Sequence, residues 1–265
     1  PPPNPPQRYI DRHKHLSHSL AGNGYTLGPV TADHWFVWVA DKTSRVSSQN
    51  DTDRVINVMM FDIDETISEK FMFEAYEEEG DREGGGGEEV TEEANRRISA
   101  AMTKAAGIDQ LVPGATIDPR AFEPCGYSMN AILYNSYSTI HITPEKNCSY
   151  VSFETNQKLA SYHSLINNVV RTFKPKRFVL TMMADEAGLA EIKDNPLDGR
   201  PQKPILVPTK DARVLEYRRS SLASIHIEQD TCCLMGNFIV EEDEADELAQ
   251  IKRHREGVVR GMSYT

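Results

Sequence analysis

Tyr137, Thr139, His141 and Thr143 alternate with Ser138, Ile140 and Ile142, which is the period of a strand showing one polar and one apolar face. Residues 148–155 (CSYVSFET) read as a second strand after the short link PEKN, so the two runs predict an antiparallel hairpin. The period then changes. Leu159, Tyr162, Leu165, Ile166, Val169, Val170 and Phe173 recur at helical spacing until Pro175, which predicts an amphipathic helix.

Upstream, the aromatic and β-branched run 33–41 (DHWFVWVAD) and the apolar run 54–63 (RVINVMMFDI) predict strands, with a helix continuing through ISEKFMFEAY. Thr91 stands before acids and opens a helical tract that Gly107 closes. Residues 108–124 carry three prolines and a glycine, and read as loop and short elements. After the helix ending at Pro175, KRFVLTMMA, ARVLEYRRSS, LASIHIEQ and NFIVEE supply four further strand candidates. A strand, strand, helix, strand, strand order predicts an α+β fold, an antiparallel sheet with helices on one face, and argues against a doubly wound parallel sheet.

Three segments set the domain organisation. Residues 1–23 are Pro-rich and polar, 24–240 form the folded domain, and 241–265 form a charged tail. A glycine-rich acidic insertion interrupts the domain at about 77–93 and reads as a solvated loop. Hydrophobic residues make 39% of the chain, enough for a sizeable core, and no apolar run reaches the length of a membrane helix. The opening residues lack the apolar stretch of a signal peptide, so the expected compartment is the cytoplasm, for a chain that starts at Pro1 rather than Met.

With 40 acidic against 29 basic residues the net charge is −11, which disfavours nucleic-acid binding and any membrane-surface role, and suits a cationic small molecule. The cysteines, at 125, 148, 232 and 233, form no metal-ligand ladder, and no metal is expected.

Two stretches carry candidate chemistry. VMMFDIDETI resembles the opening motif of haloacid dehalogenase-like phosphatases, where Asp62 would be the nucleophile and Asp64 the general acid and base beside Mg²⁺. The hairpin-rich second half does not provide the alternating frame of that family, and the bland reading is that both aspartates flank a strand end and cap the segment after it. The second stretch, FEPCGYSMNAILYNSYSTIHITPE (122–145), offers Cys125 with His141 or Ser128 with His141 as nucleophile and base, or Cys125, His141 and Glu145 as zinc ligands. None of these has diagnostic spacing. Phe122 and Glu145 open another option, a nucleoside pocket in which a ring covers a purine and a carboxylate accepts hydrogen bonds from a ribose diol.

FEPCGYSMN, TIHITPE, SYVSFETN and LVPGATID, at the intervals seen here, resemble the C-terminal half of the eukaryotic S-adenosylmethionine decarboxylase family, with a weaker likeness from about Gly24 to the strand near residue 240. The resemblance implies half of a four-layer α/β/β/α sandwich. It implies decarboxylation of S-adenosyl-L-methionine through a Schiff base on a pyruvoyl cofactor, supplying the aminopropyl donor for spermidine and spermine. Members make that cofactor by self-cleavage of a Glu-Ser bond. Carried over by position, Phe122 would stack on adenine and Glu145 hold the ribose. Ser128 and His141 would serve proenzyme processing, Ser128 by stabilising the oxyoxazolidine intermediate and His141 by taking the proton whose removal drives elimination. Asp41 and Glu154 match acidic positions of a putrescine site, although the KTSR after Asp41 departs from the pattern.

No Glu-Ser dipeptide occurs in the 265 residues. The pyruvoyl group would therefore derive from a serine outside this chain, and the expected partner is the N-terminal remainder or β chain of such an enzyme, covering an apolar sheet face. A noncatalytic partner subunit is the alternative within the family.

Overall fold

The computed structural model describes residues 23–31, 34–39, 52–82, 90–200, 203–209, 214–227 and 230–240. The polar N-terminal segment, Asp41, the glycine run of the insertion and the charged tail lie outside the described residues.

The strand-forming runs assemble into a hairpin and one large sheet. The hairpin pairs β1 (Asn23–Leu27) with β2 (Trp35–Val39). The sheet contains β3 (Arg54–Phe61), β4 (Thr116–Ala121), β5 (Tyr127–Leu133), β6 (Ser136–Thr143), β7 (Tyr150–Thr155), β8 (Arg177–Asp185), β9 (Ile205–Pro208), β10 (Val214–Ile227) and β11 (Thr231–Val240). Their order is β4-β5-β6-β7-β3-β8-β11-β10-β9, and each neighbouring pair is antiparallel. The helices are α1 (Glu65–Ser68), α2 (Glu92–Ala106), α3 (His163–Phe173) and α4 (Glu186–Ala190).

Strand alternation decides which face the helices cover. In β3, Ile56, Val58 and Met60 are buried and the intervening residues are only half-buried. Those three join Ile140, Phe153 and Leu180 from other strands, Ile98 and Met102 from α2, and Val169 and Phe173 from α3 in one core. Each fully buried large side chain contributes roughly 1.5–3 kcal/mol, so this single-face core is the main stabilising term. Arg54 also points inward, where Nη1 donates to Gly188 O at 3.0 Å and Nη2 to Glu191 Oε2 at 2.8 Å, while Nε is buried with no hydrogen-bond partner among the described residues.

The opposite face is divided. Over β8, β10 and β11 the hairpin lies against it, with Leu27, Val179, Ile227, Cys233 and Met235 forming a second small core. Over β5, β6 and β7 the outward residues include Ser128, Asn130, Thr139, His141, Ser152 and Glu154. Ile132, Tyr137 and Tyr150 share that face, so across this half of the sheet it is mixed, polar groups standing among aromatic and apolar ones.

Several elements differ from their sequence reading. Residues 65–76 form α1 and two separate 3-10 turns, Glu69–Phe71 and Phe73–Ala75, rather than one helix, because Met72 between them is extended. The proline-containing stretch before Phe122 is the edge strand β4, where Pro119 costs no ladder bond that a central strand would need. ARVLEYRRSS and LASIHIEQ are one long strand, β10, with an irregularity between Arg219 and Ser221. The amphipathic helix starts at His163, four residues after Leu159.

The aspartates of the phosphatase-like motif are turn residues. Asp64 caps α1, accepting from Thr66 N at 2.9 Å, and Asp62 sits at φ 54 where its N–H donates to Ser149 O. β3 is flanked by antiparallel β7 and β8, so the parallel strands on which that phosphatase chemistry depends are missing among the described residues. That alternative is set aside.

Helix α2 is placed by its ends and by one buried asparagine. Thr91 caps it by accepting from Ala94 N, and Gly107 closes it at φ 75. Asn95 donates to Ala121 O at 2.9 Å and accepts from Ala121 N at 3.3 Å, so its amide continues the hydrogen-bond ladder past the edge strand. Replacing Asn95 by alanine leaves both backbone groups buried and unpaired, and is expected to lower unfolding free energy by about 1–3 kcal/mol in urea titration. A change under about 0.5 kcal/mol would show that water or a shifted strand substitutes for the amide.

Candidate functional site

The site is built on the half of this sheet face that the hairpin does not cover. Tyr127 and Met129 of β5 and Ile140 and Ile142 of β6 are buried in the core, so alternation turns Ser128 and His141 to the other face. Tyr127 fixes this register, with its hydroxyl 2.7 Å from Thr103 Oγ1 of α2, and burial pushes its pKa up to about 12. Ser128 and His141 are direct cross-strand partners, and Ser128 Oγ lies 2.8 Å from His141 Nδ1. On the far side of His141, its partner in β7 is Ser152.

The loop after β4 brings Phe122 to the same end of the sheet. Phe122 N donates to Gly126 O at 3.1 Å, Gly126 N to Phe71 O at 2.9 Å and Phe73 N to Pro124 O at 3.0 Å. Gly126 has φ 119, and a Cβ there would stand 3.3 Å from Ile142 O and 3.6 Å from Phe122 Cβ. Glycine at 126 therefore lets the loop close down on β6 beside Phe122. The Phe122 ring is 47% exposed, an open aromatic face rather than a core side chain.

Glu145 follows His141 and Thr143 two residues at a time, and all three are exposed. It also lies within electrostatic reach of Cys125, whose thiol pKa is raised by burial first and by the Glu145 charge second. Both effects keep Cys125 protonated, which disfavours it as a thiolate nucleophile. The zinc option also fails, since no group of three or more His, Cys, Asp or Glu side chains is arranged to hold a metal among the described residues. Of the pairings open in the sequence, the structure brings Ser128 and His141 into contact and leaves Cys125 facing Glu145.

Glu154 belongs to a neighbouring cluster. It lies one strand over from His141 and two residues beyond Ser152, about 7 Å along β7. Tyr137 OH donates to Glu154 Oε1 at 2.8 Å, and Asn57 Nδ2 to Glu154 Oε2 at 3.0 Å. Burial, reinforced by Glu154 and to a smaller extent by Asp53, pushes the Tyr137 pKa up to about 12. Asn57 Oδ1 is buried with no hydrogen-bond partner among the described residues. Asp41, the other residue assigned to this cluster from the resemblance, lies outside the described residues. Sequence reasoning missed Tyr137, Asn57 and Asp53 here. The legible signal was an asparagine inside the otherwise apolar run VINVMM.

The chain is similar in sequence and in fold to proteins of known family. The family profile "Adenosylmethionine decarboxylase" matches residues 7–234. Among curated relatives, "S-adenosylmethionine decarboxylase proenzyme" of Dictyostelium discoideum is 39% identical over 179 residues, covering 67% of this chain and 41% of that protein. The protein of the same name from Xenopus laevis is 38% identical over 168 residues, covering 63% of this chain and 44% of that protein. The chain thus spans about half the length of the curated relatives it matches, or somewhat less. In fold it is similar to "Crystal structure of Trypanosoma brucei AdoMetDC-delta26 monomer", with a TM-score of 0.59 at 22% identity over 90% of this chain and 79% of that one. With the profile spanning most of its length and the folded domain built as one antiparallel sheet backed by helices, the chain belongs to the adenosylmethionine decarboxylase family.

Proposed function

We propose that the protein carrying this chain decarboxylates S-adenosyl-L-methionine, using a pyruvoyl group made from a serine outside this chain and supplying the aminopropyl donor for spermidine and spermine. The observation that carries the reading is the 2.8 Å contact between Ser128 Oγ and His141 Nδ1 on that face of the sheet, with Phe122 and Glu145 at its adjoining end. Family membership supplies the reaction, and the geometry suggests how the work is divided among these side chains.

The residues present fit a carbonyl cofactor that has to be made and then used beside them. Such a group, once formed, supplies an electron sink for the pair of electrons released as carbon dioxide leaves. Ser128 and His141 supply proton handling. When Nδ1–H of His141 donates to Ser128 Oγ, the lone pair lies on Nε2 and the exposed imidazole acts there as a base. In that tautomer the hydroxyl hydrogen of Ser128 stays available to an oxygen that gains negative charge during self-cleavage. Neither residue needs a metal for these steps.

Phe122 and Glu145 serve the substrate. An exposed ring can stack on adenine, and also attracts the sulfonium cation by about 0.5–2 kcal/mol where the two meet face on. The Glu145 carboxylate can accept two hydrogen bonds from a ribose diol, a geometry that charge-assisted acceptance strengthens. Glu154 and Asp41 are read as the diamine-responsive acids. The net charge of −11 suits cationic ligands in general.

Two variants of the complete proenzyme separate making the cofactor from using it. His141→Ala is expected to slow self-cleavage by about 100-fold or more, leaving one chain or a hydroxylamine-sensitive ester on a denaturing gel. Cleavage at the unmodified rate would remove His141 from the processing step. Glu145→Ala is expected to cleave normally and to raise KM for S-adenosylmethionine about tenfold, with kcat less affected. Lost cleavage together with unchanged KM in the processed fraction would refute the ribose assignment.

A further inference from the structure

One ion-pair arrangement reaches the loop of Phe122 from a part of the chain that contributes nothing to the sheet. Arg82 Nε donates to Glu77 Oε1 and Arg82 Nη2 to Glu123 Oε1, both at 2.6 Å. Glu123 directly follows Phe122. Arg82 is itself well anchored. It forms a β-bridge with Val90, and Thr91 N donates to Asp81 O at 2.9 Å. From α2, Arg97 reaches Asp81, Glu78 Oε1 at 3.1 Å and Tyr76 O at 3.1 Å. The neck of the acidic segment is therefore tied on one side to α2 and on the other to the loop that presents Phe122.

The backbone hydrogen bonds of that loop act at Phe122, Pro124 and Gly126, and Glu123 between them is held through its carboxylate. A guanidinium gripping two carboxylates is a directional clamp, because its donors lie in one plane at fixed angles. We propose that Arg82 is a positioning residue for Phe122, holding the loop through Glu123 so that the exposed ring is oriented before substrate arrives. The inference rests on the reading of Phe122 as the adenine-stacking residue. It assigns a role to the stem of the acidic segment, whose sequence alone reads as solvated charge.

The clamp is partly exposed, with side-chain exposures of 28% for Arg82 and 47% for Glu123, so its effect is modest and sensitive to salt. In the complete, processed enzyme, Arg82→Ala and Glu123→Gln are each expected to raise KM for S-adenosylmethionine about threefold, with kcat and the extent of self-cleavage unchanged. The double variant should be no worse than either single one, and Arg82→Lys should fall between Arg82→Ala and the unmodified enzyme. Raising the salt concentration should lift KM of the unmodified enzyme toward that of Arg82→Ala while barely moving the variant, a response that a general loss of folding would not give. Phe122→Ala, measured in parallel, tests the underlying reading. If Phe122→Ala raises KM while Arg82→Ala and Glu123→Gln do not, the positioning role is overturned and the stacking role survives. If Phe122→Ala also leaves KM unchanged, both are overturned.

Discussion

The antiparallel register between β5 and β6 is the constraint on which the candidate site depends. It sets Ser128 opposite His141 and at the same time sends Tyr127, Met129, Ile140 and Ile142 into the core. A slip of β6 by one residue would turn that strand over, burying the His141 imidazole while exposing Ile140 and Ile142. Exposing those side chains would cost on the order of 1.5–3 kcal/mol each, so the hydrophobic effect that folds the sheet also fixes the Ser128–His141 pairing. The buried hydroxyl contact between Tyr127 and Thr103 locks the same register from the helical side.

The division of the outer face follows from the same alternation. Where outward residues are apolar, as at Val179, Cys233 and Met235, the β1–β2 hairpin packs over them. Where they are Ser128, Thr139, His141 and Glu154, the face carries polar chemistry instead. Helices and hairpin thus supply stability on one face and part of the other, leaving a rigid sheet to carry the site. Side chains standing on strands are held more accurately than loop residues. Phe122 and Glu145, the two residues read as substrate-holding, both stand on loops, and Phe122 has additional ties from Gly126, Phe71 and Glu123.

Much of this was legible in the sequence. The two-residue period at 137–143 and the helical spacing at 159–173 reported β6 and α3, because each element buries one face and the pattern records that burial. β4 was hidden by Pro119, which an edge strand tolerates and a central strand would not. The broken helix at 65–76 was hidden because the extended Met72 pairs with Cys125, a contact between distant parts of the chain. For the site, Ser128, His141, Phe122 and Glu145 could be named through resemblance to a family, whereas their identities alone left several chemistries open. Tyr137 and Asn57 could not be connected to Glu154 before the order β6-β7-β3 was known, since that order makes the three residues neighbours. Arg82 gave no signal at all within a run of acids.

The central claim is that this chain provides the substrate-holding wall and the proton-handling pair for a carbonyl cofactor made in the same protein. Intact-mass spectrometry of the complete gene product, purified under native conditions, addresses it most directly. The account predicts two chains, with the chain that contains Ser128 and His141 beginning in a pyruvoyl group. A single uncleaved chain that nevertheless decarboxylates S-adenosylmethionine would contradict it.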